Sequence, residues 1–196
     1  WIRERYVNSN KLDLPLDQDA YGELVWNADA AWSWNPRASL AAGVSLRRVR
    51  EDGSSLLRRS REPRVILEDE FRGTGLRSGA FFTHSWSPVS RLQLTAGVRL
   101  DRHSVNQRTA ASPYASAGVR LLSRTRLRMA WSRTAQYPDP RQFFSAAGLT
   151  TLAPERSTHT VAGIDQRLGE KTRLSLDLYN RLDRDMIVRP FGEPRL

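Results

Sequence analysis

Four stretches of the chain alternate apolar and polar residues with a period of two, each broken once by a tight turn. In the first, Leu24, Trp26, Ala28, Ala30, Trp32 and Trp34 share one face, against Val25, Asn27, Asp29, Ala31 and Ser33. Asn35-Pro36-Arg37 reverses the chain. Leu40, Ala42, Val44 and Leu46 then continue the apolar face, with Ala41, Gly43, Ser45 and Arg47 opposite. Successive side chains of a strand point to opposite sides, and a helix would scramble the two sets. A second unit carries Leu76, Ala80, Phe82 and Trp86, a turn at Ser87-Pro88-Val89-Ser90, then Leu92, Leu94, Ala96, Val98 and Leu100. A third pairs Ala115, Ala117, Val119 and Leu121 with Leu127, Met129 and Trp131 around Ser123-Arg124-Thr125. The fourth pairs Ala162, Ile164 and Leu168 with Leu174, Leu176, Leu178 and Leu182 around Gly169-Glu170-Lys171. The pattern predicts hairpins over 23–49, 76–103, 112–134 and 158–187, with a further strand near Ile2–Val7.

The connections alternate in length. Turns within hairpins take three or four residues, whereas the joins near 50–73, 104–112 and 135–157 are long, polar and rich in Gly, Pro and Arg. Short turns at one rim and long loops at the other are the plan of an outer-membrane barrel. A soluble antiparallel sandwich also alternates. Its strands, however, average about 5–6 residues, while those here approach the ~9–11 that cross a bilayer at a tilt. The apolar face is almost free of charge, and the other carries Arg and Asp together. A dry core would hold those only with strict pairing; a hydrated lumen accepts them. Trp34 and Trp86 sit beside short turns, as an interfacial aromatic girdle requires. The fold expected is all-β, an antiparallel up-and-down transmembrane barrel wall.

Composition narrows the chemistry. The 196 residues carry a net charge of +10 and no cysteine, so disulfides, thiolate metal sites and Cys nucleophiles are absent. No run approaches the ~20 apolar residues of a membrane-spanning helix, and hydropathy averages miss membrane strands. The positive charge is almost all arginine, 29 against two lysines, spread along the chain. A nucleic-acid partner is not expected from so dispersed a charge. The densest run, Arg47 to Arg64, reads as a solvated loop projecting from the cell surface, able to touch phosphates of lipopolysaccharide or an anionic ligand. The chain starts at Trp1 and ends at Pro194-Arg195-Leu196, which reads as a slice of something longer.

Several segments resemble one family. Leu152-Ala153-Pro154-Glu155-Arg156-Ser157, with Gly163 following on a strand, is similar to the L-x-P-E-x-S … G segment of TonB-dependent receptors. Leu178-Tyr179-Asn180-Arg181-Leu182-Asp183-Arg184-Asp185-Met186-Ile187 resembles their strand end, and Ala96-Gly97-Val98-Arg99-Leu100-Asp101 their A/S-G-φ-R-φ-D strand. Ser132-Arg133-Thr134-Ala135-Gln136-Tyr137-Pro138 is a looser match, and no role is carried onto it. The resemblance implies an outer-membrane transporter for a ferric siderophore, corrinoid or glycan, plugged by an N-terminal domain and energised by a TonB-type partner. Barrels of this kind have about 22 strands, so eight or nine would form a curved open sheet. No plug-like α/β segment, TonB box or aromatic C-terminal strand end is seen. The alternative is a small non-transporting outer-membrane barrel or a soluble sandwich binding polyanions.

Catalytic motifs are lacking, and no enzymatic activity or cofactor is expected. His84, His103 and His159 lie on three different units with no metal-ligand spacing. No G-x-S-x-G elbow occurs. Gly73-Thr74-Gly75 leads into a strand and not a helix, so it cradles no phosphate. Glu68-Asp69-Glu70 reads as Arg-paired rather than calcium-binding. The better functional candidates are the charges of the polar face: Arg47, Arg99, Asp101, Arg120, Arg128, Arg173, Asp177 and Arg181, with Asp29 and Asp165 beside them. In a lumen they would contact a plug or guide an anionic ligand.

Overall fold

The computed structural model describes residues 2–9, 15–58, 65–145 and 148–188. Nine strands form one antiparallel meander in sequence order: β1 (Ile2–Ser9), β2 (Pro15–Asn35), β3 (Ala38–Arg58), β4 (Val65–Val89), β5 (Leu92–His103), β6 (Thr109–Leu122), β7 (Thr125–Gln136), β8 (Glu155–Leu168) and β9 (Thr172–Arg184). A one-turn helix, α1 (Pro140–Phe144), lies between β7 and β8. The sheet is open, with β1 and β9 as its edges.

Register makes the two faces continuous. Ala28 pairs with Val44, Val44 with Ala80, and Ala80 with Leu100, all on the apolar side. Asn27, Ser45, Gly79 and Asp101 form the parallel row on the polar side. A one-residue slip on any strand would exchange its faces, so the alternation itself pins the pairing. Among the described residues, nothing packs on the apolar side. Trp32 is 66% exposed and Leu178 69%, and no described side chain is completely buried. A sandwich would sink those residues into a second sheet. A single layer leaves them for lipid, which excludes the sandwich.

Three sequence expectations are corrected. The arginine-rich stretch 47–64 is not a loop from its start: β3 continues to Arg58 and β4 begins at Val65. β2 and β3 have 21 residues each. At about 3.3 Å per residue that is roughly 70 Å, about twice the need of a tilted span, so the hairpin stands well clear of the band. The alternation is interrupted there by Arg48, Arg50 and Asp52 on the formerly apolar side, which hides a strand from a search for lipid-facing residues. Arg59, Arg61 and Arg64 lie outside the described residues. Second, Gly73-Thr74-Gly75 sits within β4 and not ahead of it. Third, the 135–157 join contains α1. Pro140 occupies its first turn, where a missing N–H costs nothing, and the Gln142 side-chain oxygen accepts from the Asp139 N–H at 2.8 Å.

Candidate functional site

All eight candidate charges fall on the polar side, seven of them in four clusters and Arg120 apart from these. On β2–β3, Arg47 Nη2 meets Glu23 Oε2 at 2.9 Å and the Tyr21 hydroxyl at 3.2 Å. On β4–β5, Asp101 is 3% exposed and is held by Arg99 Nε at 2.8 Å and Arg77 Nε at 3.2 Å. Arg99 reaches on to Ser45 Oγ at 2.9 Å, tying β5 to β3. Across β7–β9, Arg128 lies 2.9 Å from Asp165 and 3.0 Å from Asp177, while Arg173 meets the other Asp165 oxygen at 2.8 Å. Arg181 pairs with Asp183 two residues along its own strand at 2.8 Å. Arg120 pairs in register with Arg126 and is exposed. Asp29 faces the same way beside Gly43.

Pairing at these distances neutralises most of the wall. Exposed pairs contribute roughly 0–1 kcal/mol each, so the clusters keep charge in place more than they stabilise the sheet.

At the long-loop end, the chain after β7 folds back over this face. The Tyr137 hydroxyl lies 2.6 Å from the Asp101 carbonyl and 2.9 Å from the Arg108 carbonyl, sharing its proton between them. The Arg77 guanidinium stacks 5.2 Å from the centre of the Tyr137 ring. His103 lies between Tyr137 and Phe143, with ring centroids at 5.4 and 5.2 Å. Phe143 is buried. The Phe144 ring occupies the space where a side chain at Gly73 would stand, and His103 does the same above Gly75. The helix is thus seated in a notch cut by glycines. Asp17 holds its Arg141 at 3.8 Å, and Arg141 lies over Phe71 at 5.9 Å.

Electrostatics at this outer end follows from burial. Desolvation, with Arg77 close by, pushes the His103 pKa below the usual histidine value. Desolvation raises Asp19, with Asp17 adding to it and Arg141 opposing. Glu51 is raised in the same way, with Asp19 and Asp139 as its negative neighbours. The Tyr137 hydroxyl is raised by burial and by Asp101.

This outer constellation was missed from sequence. Asp139-Pro140 with Gln142 three residues after Asp139 is the signal that could have found the helix. His103 is a packing residue here. His159 meets the Tyr179 hydroxyl at 2.6 Å, and His84 stacks on Trp34 at 5.5 Å, 4° from parallel. Among the described residues, no group of three His, Asp or Glu is arranged to hold a metal. Asp69 is buried and Glu70 exposed. Trp34 and Trp86 both stand on the apolar side next to short turns, 44% and 47% exposed, with Trp32 at 5.4 Å from Trp34.

Comparison with known proteins agrees with this geometry. The sequence matches the family described as TonB dependent receptor-like, beta-barrel, over residues 3–195. A search of curated proteins found no match. Among solved structures, the copper transporter OprC superposes with a TM-score of 0.68 at 17% identity, covering 92% of this chain and 33% of that one. The ferric enterobactin receptor PfeA of Pseudomonas aeruginosa, as a point mutant with enterobactin, gives 0.65 at 14%, covering 91% and 31%. The FrpB iron transporter of Neisseria meningitidis gives 0.63 at 13%, covering 92% and 32%. The chain spans about a third of the length of these structures. The two-sided wall, the short and long rims and the family match over nearly every residue agree, and the chain belongs to the TonB-dependent receptors as part of their outer-membrane β-barrel, a family of receptors and transporters rather than enzymes.

Proposed function

We propose that this wall serves energy-coupled uptake of a scarce ligand, a ferric siderophore, corrinoid or glycan, by a receptor whose lumen holds a plug addressed by a TonB-type partner. One observation carries the reading: the polar side carries four clusters of arginines held by Asp or Glu, and α1 folds over its outer end. In a lumen, Arg47, Arg99, Arg120, Arg128, Arg173, Asp177 and Arg181 would offer hydrogen bonds to a plug surface and bias anionic ligands inward, while Asp101, read from sequence as a contact residue, is buried and instead holds Arg77 and Arg99 in place. Hairpins 23–49, 76–103, 112–134 and 158–187 then form one section of the barrel, and residues 1–196 contribute no plug. The similarity to a copper transporter, an iron transporter and a ferric enterobactin receptor makes ferric chelates the first probes.

The test is uptake of radiolabelled ferric siderophores, cyanocobalamin and oligosaccharides by cells with and without the receptor gene. Uptake of one probe should be lost on deletion and equally lost when the proton gradient is collapsed or the TonB-type partner removed. Uptake that survives collapse of the gradient, or loss of no probe on deletion, overturns the proposal.

A further inference from the structure

The apolar side holds a trough that a smooth lipid-facing wall would not need. It is an open depression of about 610 Å³, within the roughly 300–1,000 Å³ of ligand clefts. Ala96, Ala115 and Ala117 line its middle; Trp86 lies toward one end, and Met129, Trp131 and Ala162 toward the other. Register shows how it runs. Trp86 pairs with Leu94, Leu94 with Ala117, Ala117 with Met129, and Met129 with Ala162. The trough therefore crosses the strands. Trp86 lies three residues before the end of β4 at its short turn, whereas Ala162 lies six before the end of β8. It climbs from the short-turn rim toward the long-loop rim.

Arginines wait at the raised end. Beyond Trp131 the next outward residue of β7 is Arg133, paired with Thr158. On the next outward row, Arg156 of β8 stands directly opposite Arg184 of β9. All three are exposed, and among the described residues none of them has a carboxylate within ion-pair distance. Like charges placed directly opposite on a sheet repel. On the polar side Arg47, Arg77, Arg99, Arg128, Arg173 and Arg181 each have a carboxylate partner, whereas these three outward arginines have none, so the trio marks a place where the counter-charge comes from outside the chain.

We propose that trough and trio form one binding site for a phosphate-bearing lipid of the outer leaflet, a reading that rests on the membrane-barrel assignment. An acyl chain lies along the alanines between Trp86 and Trp131, and the headgroup phosphate bridges Arg133, Arg156 and Arg184 by charge-assisted hydrogen bonds. Apolar trough and cationic cluster are adjacent and correctly ordered for one amphiphile, chain deep and phosphate at the rim.

The test reconstitutes the full receptor into phosphatidylcholine vesicles doped with diphosphoryl lipid A or its dephosphorylated form, then counts retained lipid by native mass spectrometry in mild detergent. The phosphorylated lipid should be retained more tightly by on the order of tenfold, and less so at high salt. R133Q/R156Q/R184Q should erase that preference, and the Lys triple variant should keep most of it. Ala117→Trp, which fills the trough with the arginines intact, should reduce retention of both forms. Equal retention of both forms by the wild type, or an unchanged preference in the Gln variant, overturns the proposal. Displacement by inorganic phosphate alone would overturn it in favour of a free-anion site. If the wild type fails to insert into vesicles, the barrel assignment fails and this site with it; normal insertion without phosphate preference sinks only this site.

Discussion

Phe144 of α1 rests on the backbone of Gly73 in β4, its ring filling the position of the missing side chain. That single contact explains why a long strand carries a glycine at this point on its inner side. It also couples the outer loop to the barrel wall: any side chain at Gly73 must push Phe144 out. Gly73→Val should unseat α1 while leaving the strand paired, since valine suits a strand better than glycine. Overpacking costs about 1–3 kcal/mol, more than a one-turn helix can hold against. Limited proteolysis should cut the 137–154 segment sooner in the variant, with thermal unfolding of the sheet little changed. Unchanged cleavage would mean that Phe144 does not hold the loop.

His103 makes the same segment sensitive to acid. Its pKa lies below the ordinary histidine value, because burial disfavours the imidazolium and Arg77 repels it. A depressed histidine binds fewer protons in the fold than outside it. The stability it allows is therefore complete above the unfolded value of about 6.5 and is lost as pH falls through the lower folded value. The loop should loosen below about pH 6.5, read as faster amide exchange over 137–154. Asp19 and Glu51, both raised by burial, act oppositely, since their protonation on acidification removes buried negative charge and its repulsion from Asp17 and Asp139. His103→Phe keeps the ring stack without titration, and should remove the acid loosening if His103 is its source.

Much of the wall was legible in the sequence because hydrocarbon and water act on alternate residues. Leu94 and Thr95, one position apart, meet different solvents, and that difference is written into residue type. The outer end was less legible. The arginines at 48 and 50 occupy lipid-side positions above the band, so the strand continues where its polarity signal stops. The α1 segment was obscured for another reason: it is one turn long, too short for a hydrophobic period, and its position depends on Gly73 and Gly75, about seventy residues earlier. The charges at Arg99, Asp101, Arg128 and Asp177 were placed on the right face, but their partners across strands were not, because register between distant strands is not a local property.

Asp101 and Asp177 carry similar ion pairs in different surroundings, and their removal should separate the two. Asp101 is 3% exposed and holds both Arg77 and Arg99. Asp101→Asn leaves two guanidiniums without their shared anion and should cost about 1.5–3 kcal/mol. Asp177 has a side chain 48% exposed and shares Arg128 with Asp165. Asp177→Asn should cost below about 1 kcal/mol. Urea unfolding of the reconstituted receptor would rank the two; equal losses would contradict the burial difference.

Charge placed on the two faces of β3 and β7 gives the strictest check on the wall. Val44 is 47% exposed, central in the apolar side, and paired with Ala28 and Ala80. In water an exposed valine exchanged for arginine would cost nearly nothing, because the new charge stays hydrated. Against hydrocarbon the same exchange should cost about 2–4 kcal/mol near the bilayer midplane. Ala130 is also exposed but stands on the polar side, between Ser116 and Val161, where a new guanidinium meets water. Ala130→Arg should therefore leave stability within about 0.5 kcal/mol. Unfolding in vesicles measures both. A large cost at Val44 with none at Ala130 fixes which side faces lipid, and the reverse order would turn the sheet inside out.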